Sequence, residues 1–148
     1  MKISTKRFGE INIDESTVVK FGNGILGFPK YREYVLIDPN KKSPLKWLQS
    51  IKNPNLAFVV TDPNIFMSDY EIQVNANDID DLDVKDAKDT VQLVIVTVPS
   101  DPSKMTANFK GPLIINMKNK LGKQLVLETS KYDIKYQLLD NQEKAVNS

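Results

Sequence analysis

Thr106-Ala-Asn-Phe-Lys-Gly-Pro-Leu-Ile-Ile-Asn-Met-Lys-Asn-Lys-Leu-Gly-Lys-Gln-Leu-Val-Leu127 is the stretch whose reading decides the architecture of this chain. Leu113, Ile114 and Ile115 make a short apolar run of strong β character, and Gly111-Pro112 punctuates its start. Gln124 to Leu127 is a second such run. Between them lies a lysine-rich connection, Met117 to Lys123, in which Gly122 is expected to take the positive φ of a turn. The stretch therefore predicts an antiparallel hairpin with a basic tip. Two strands alone are unstable in water, so the hairpin calls for a larger sheet.

Upstream and downstream the same signal recurs. Lys2 to Lys6 and Ile11 to Ile13 alternate apolar and polar around Gly9-Glu10, which reads as a hairpin with one face of each strand buried. Val18 to Phe21, Tyr34 to Ile37, Leu45 to Ile51, Leu56 to Val60, Glu71 to Val74 and Thr90 to Val98 each read as strands, separated by Pro, Asn and Asp turns. Thr90 to Val98, mostly β-branched, is the strongest. Tyr132, Ile134, Tyr136 and Leu138 alternate like an edge strand. Ile79, Leu82 and Val84 have helical spacing, with Asp78 placed to cap a short helix. Trp47 reads as sheet-face packing before it reads as a binding anchor. About nine or ten short strands with one or two helical turns predict an all-β fold, a small closed or partly open antiparallel β-barrel. Closure protects strand edges that so few helices cannot cover. Residues 1–139 are expected to form one domain, and Asp140 to Ser148, without apolar patterning, a flexible C-terminal tail.

Composition narrows the function classes. The 148 residues contain no cysteine, which excludes disulfides and thiolate metal sites. They contain no histidine, which removes the usual general base and the commonest transition-metal ligand, so Ser-His-Asp and Cys-His chemistry is impossible. No enzyme activity, cofactor or metal is expected. The sequence has neither a signal-peptide pattern nor an apolar run of about 18 residues, and a cytoplasmic, membrane-free protein is expected.

Formal net charge is +1, but the charge is segregated along the chain. Residues 1–50 carry nine Lys/Arg against five Asp/Glu, a surplus of +4. Residues 69–89 carry eight acids against two lysines, −6, and residues 104–136 carry seven lysines against two acids, +5. Acidic and basic faces meeting different surroundings are the expectation. The acid run lacks the fixed glycine and terminal glutamate of a helix-loop-helix calcium loop. In Phe21-Gly-Asn-Gly-Ile-Leu-Gly-Phe-Pro29 no Gly-Lys-Ser/Thr follows, so the glycines are read as shaping tight turns while Phe21, Ile25 and Phe28 plug the core.

That glycine-rich stretch, Leu56-Ala-Phe-Val-Val60, Thr106-Ala-Asn108 with Gly111-Pro-Leu-Ile-Ile-Asn116, and the turn from Lys118 to Gln124 together resemble the bacterial flagellar assembly factors of the FliW family. The resemblance covers roughly residues 2 to 136. Leu26 stands where the family commonly has proline, and Gly111 where alanine usually precedes the proline; both bear on loop geometry. The resemblance implies a small, non-catalytic β-barrel. It implies binding to the RNA-binding translational regulator CsrA, beside rather than in its RNA site, with relief of flagellin mRNA repression. It also implies binding to flagellin, so that two partners compete.

The shared motifs look structural, and the partner-binding expectation comes from charge instead. Asp69, Glu71, Asp78, Asp80, Asp81 and Asp83 would face a basic regulator, with Phe66, Met67 and Tyr70 as an apolar anchor. A solvated face with no partner is the alternative account of these acids. No direct nucleic-acid contact is expected, and the protein is expected to be a monomer on its own. The competing reading is a nucleic-acid-binding barrel that uses Lys104, Lys110, Lys118, Lys120 and Lys123, with Phe109 and Tyr132 for stacking.

Overall fold

Residues 1–139 are described by the structure, a computed structural model; the tail expected over 140–148 lies outside them. Among the described residues the strands are β1 (Lys2–Thr5), β2 (Gly9–Asn12), β3 (Val19–Phe21), β4 (Glu33–Ile37), β5 (Leu45–Ser50), β6 (Ala57–Thr61), β7 (Thr90–Thr97), β8 (Thr106–Ala107), β9 (Leu113–Asn116), β10 (Leu121–Gln124) and β11 (Tyr136–Gln137). β3-β4-β5-β6-β7 form an antiparallel meander whose ends are joined through β9 and β10. The result is a closed seven-strand barrel, as the many short strands predict. One pair departs from the antiparallel expectation: β3 and β10 run parallel, with Lys20 beside Leu121.

β7 earns its strong pattern by serving three neighbours. One edge meets β6; the other is shared, residues 90–93 pairing with β9 and residues 96–97 with β8. Alternation then sends Leu93 and Ile95 into the barrel interior and Val94 and Val96 outward. The interior is filled by Val19, Phe21, Tyr34, Leu48, Val60, Leu93, Leu113 and Ile115, with Ile25 and Leu56 closing it. β10 contributes Gly122 to this interior, where a Cβ would stand 2.7 Å from the Phe21 ring. So Gly122 is required by close approach; the positive φ of the turn belongs to Lys120. Asn116 Oδ1 and Asn119 Oδ1 accept from the Lys118 and Leu121 amides and brace that turn.

A second cluster lies outside the barrel around β8 and β11, and includes Tyr70, Val94, Val96, Phe109, Tyr132 and Leu138. The predicted edge strand shrinks to Tyr136–Gln137, with Ile134 exposed. β1 and β2 form their own two-stranded sheet. Their turn covers Trp47, with the Arg7 guanidinium 4.0 Å above the indole and Phe8 edge-on at 5.9 Å. Trp47 is thereby packed on the sheet face. In the glycine-rich loop Phe21 and Ile25 are buried, but Phe28 is 39% exposed and leans edge-on against Phe58. Positive φ occurs at Gly24 and Gly27, not at Gly22.

Candidate functional site

The acidic segment is a strap laid over the outside of β9 and β10. It has no α-helix; Ala76–Asp78, Asp80–Leu82 and Ala87–Asp89 are separate 3-10 turns. Asp78 ends the first of these instead of capping a helix, because the apolar residues are too few to sustain a longer amphipathic face. Leu82 is the pin: 2% exposed, it packs with Ile114 and Leu125, and Ile72, Val74, Ile79 and Val84 gather around it. Asp83 then turns the chain with a left-handed φ of 51°.

Hydrogen bonds from the β9–β10 hairpin fasten the strap. Buried Asn116 donates through Nδ2 to the Leu82 carbonyl at 3.0 Å and the Asp83 carbonyl at 3.3 Å. Asn119 Nδ2 donates to the same Leu82 carbonyl at 2.9 Å. The Met117 amide donates to the Asp89 carbonyl at 2.8 Å. These donors satisfy carbonyls that three short turns leave open.

The strap brings the acidic and basic segments of the sequence together, in place of the separate faces expected. Asp81 pairs with Lys123 at 3.4 Å and Asp89 with Lys118 at 3.7 Å. Asp83 pairs with Lys85 at 2.9 Å; the hydrogen bond, then the charge, holds the Lys85 pKa above its ordinary value. The Asp83–Lys85 pair is open to solvent and screened by it, whereas Lys123 and Asp89 are the more covered members of their pairs. Asp69, Glu71, Asp78 and Asp80 are exposed and, among the described residues, form no ion pair. They are acids of this segment that no lysine among the described residues neutralises. Among the described residues no three carboxylates converge as a metal site would require.

The apolar anchor is placed differently from the expectation. Phe66 ends a single α-helical turn, Pro63–Phe66, capped by Asp62; Phe66 and Met67 lie half-buried against the second cluster. Tyr70 is only 4% exposed. Its ring packs on Phe109 and Tyr132, and its hydroxyl donates to the Phe109 carbonyl at 2.7 Å. Burial, with Tyr132 adding to it, pushes the Tyr70 hydroxyl pKa well up. Tyr70 thus sits buried in the second cluster, outside the barrel. The stacking residues of the nucleic-acid reading fare likewise: Phe109 and Tyr132 are buried, and two of the five lysines are held by aspartates.

One feature had no signal in the sequence. A groove of about 720 Å³ runs between Glu71–Asn75 and Lys123–Thr129, with Tyr132 at one end. Glu71 to Val74, predicted as a strand, is chain without a ladder partner; Ile72 and Val74 still turn inward. Tyr132 Oη accepts from the Glu71 amide at 3.1 Å and donates to the Glu71 carbonyl at 2.9 Å. On the other wall the ladder stops at Gln124, short of the Leu127 expected, and leaves Val126 62% exposed.

Known proteins share the sequence and the overall fold of this chain. The family model described as FliW protein matches residues 2–138. The flagellar assembly factor FliW of Alkaliphilus metalliredigens is 41% identical over 145 residues, covering 97% of this chain and 90% of the relative. That of Leptospira biflexa is 39% identical over 143 residues, covering 96% and 94%. A crystal structure of the flagellar assembly factor FliW superposes with a TM-score of 0.87 at 35% identity, covering 94% of this chain and 97% of the other. No helix among the described residues is long and apolar enough to cross a membrane. A closed barrel of this order, matched over nearly its whole length by sequence and by shape, belongs to the FliW family.

Proposed function

We propose that this chain is a non-catalytic binding protein of the cytoplasm that acts in flagellar assembly by partner exchange. It binds the translational regulator CsrA, lifting repression of flagellin mRNA, and it binds flagellin, which draws it away from CsrA. Family membership supports the reading, and the residue-level observation that carries it is the set of unpaired acids on the strap. A CsrA that binds RNA phosphates presents positive charge, and Asp69, Glu71, Asp78 and Asp80 offer an opposite field on a scaffold already ordered by Leu82 and Asn116. The same field repels RNA phosphates from the occupied regulator. Preordering matters, because a flexible acid run would lose affinity to the cost of being fixed.

Calorimetric titration with CsrA, alone and with flagellin present, tests the exchange. Binding that flagellin weakens is the expected result; no heat with either protein refutes it. The combined variant Asp78→Asn, Asp80→Asn, Asp81→Asn and Asp83→Asn should lose affinity and much of its salt dependence. Unchanged affinity with an unchanged salt slope would remove the strap from the interface.

A further inference from the structure

β3 leaves the wall of the barrel at Gly22, after pairing with only Leu121 and Gly122 of β10. The chain beyond Gln124 continues in line with β10: the Leu125 amide donates to the Pro112 carbonyl at 2.9 Å and the Leu127 amide to the Lys110 carbonyl at 2.8 Å. Backbone groups alternate sides in an extended chain, so the amides and carbonyls of Val126 and Glu128, two of the residues that line the groove, face away from residues 110–112. Among the described residues they have no hydrogen-bond partner. Edges of this kind are normally blunted by proline, lysine or a bulge, and Leu125 to Thr129 has neither proline nor lysine.

We infer that the groove between Glu71–Asn75 and Leu125–Thr129 accepts an extended, lysine- or arginine-bearing segment of a partner protein, which pairs its backbone with Val126 and Glu128. Main-chain pairing supplies the affinity in this mode, and side chains on alternate positions the selectivity. A volume of about 720 Å³ lies within the usual range of ligand sites, about 300–1,000 Å³. Exposed Val126 supplies an apolar contact.

The charges choose the occupant. Glu71, Asp78 and Glu128 border the groove without an ion pair among the described residues, so three acids stand against two lysines. Lys123 is held by Asp81, and Lys131 lies 5.5 Å over the Tyr132 ring. A basic segment therefore matches the walls. A second copy of this chain, pairing the same edge, would set these acids against their own images. The identity of the partner as the regulator rests on the proposed function; the groove itself does not.

The test is an NMR titration of the isotope-labelled full chain with a seven-residue peptide alternating lysine and valine. Expected are shifts concentrated at Val126, Glu128 and residues 72–74, with amide exchange at 126 and 128 slowed at least tenfold. An alternating glutamate–valine peptide should leave these amides unchanged. Glu71→Lys with Glu128→Lys, both exposed sites, should weaken the lysine peptide at least tenfold. Val126→Pro should abolish the protection at Glu128. No binding at millimolar peptide, shifts spread over the strap without protection at 126 and 128, or a dimer that Val126→Pro dissolves would each overturn the inference. Protection by the peptide alongside a failure to bind CsrA would uphold the groove and sink the choice of regulator.

Discussion

Leu82→Ala separates a strap that belongs to the cooperative fold from one that merely rests on it. Leu82 is almost wholly buried against Ile114 and Leu125. Withdrawing a leucine side chain of this kind from water stabilises a fold by about 1.5–3 kcal/mol. Truncation adds a cavity term, giving about 2–5 kcal/mol overall, with the upper end reserved for sites that cannot settle. Three short turns on the surface can settle, so about 2.5 kcal/mol is the expectation. With a urea slope of about 1.5 kcal/mol per molar, the midpoint should fall by about 1.7 M. Trypsin supplies a local readout, since Lys85 and Lys88 are exposed within the same segment. Their cleavage in native buffer should accelerate in the variant. A midpoint unchanged within about 0.3 M, the error of such extrapolations, would show that the strap contributes nothing to global stability and refute the reasoning. Rapid cleavage of the unaltered protein would do the same.

The glycine-rich loop predicts a contrast between two neighbours. At Gly24, φ is +68° and an added Cβ would stand 2.7 Å from the Phe28 carbonyl oxygen, so Gly24→Ala should cost about 1–3 kcal/mol, read as a lower thermal midpoint. Gly22→Ala meets nothing within 4 Å and should be near neutral; equal losses at both sites would refute the distinction. Buried tyrosines set an alkaline limit. Burial, with the nearby Tyr31, pushes the Tyr34 hydroxyl up to about 12, and Tyr70 is raised for the same reason. Because the folded pKa values lie above the unfolded value, this stabilisation is complete below about pH 10 and is lost as pH rises toward 12 and beyond. Phenolate absorbance should show Tyr34 and Tyr70 ionising together with unfolding, and ionisation of all five tyrosines before the circular dichroism changes would contradict it.

Much of the barrel was legible because its strands carry strong local signals. Thr90 to Val98 reads as a strand at a glance, and its counterpart β7 is the strand with three neighbours. Misreadings came where alternation reports burial rather than pairing. Ile72 and Val74 do point inward and Gln73 outward, but period two requires only an extended chain with one covered face. No ladder follows from it. Leu125 to Leu127 differs: its chain keeps backbone hydrogen bonds to Pro112 and Lys110 although the regular ladder ends at Gln124. The parallel β3–β10 pair joins distant residues and leaves no local trace. At the site, the exposure of Asp78, Asp80, Asp81 and Asp83 follows from their charge. The burial of Tyr70 depends on Phe109 and Tyr132, which are remote in sequence. The groove exists only where two separate segments pass each other.

The seam between β3 and β10 has a consequence for how the chain is made. Lys20 is synthesised early, and its neighbour Leu121 late. Without β10, β3 has no partner on that side and the sheet stays open. Bringing such distant segments together costs loop-closure entropy before any contact rewards it. Barrels dominated by remote pairings accordingly fold in about milliseconds to seconds, not microseconds. Joining β3 to β10, more than any early event, is therefore the step at which this molecule becomes a barrel.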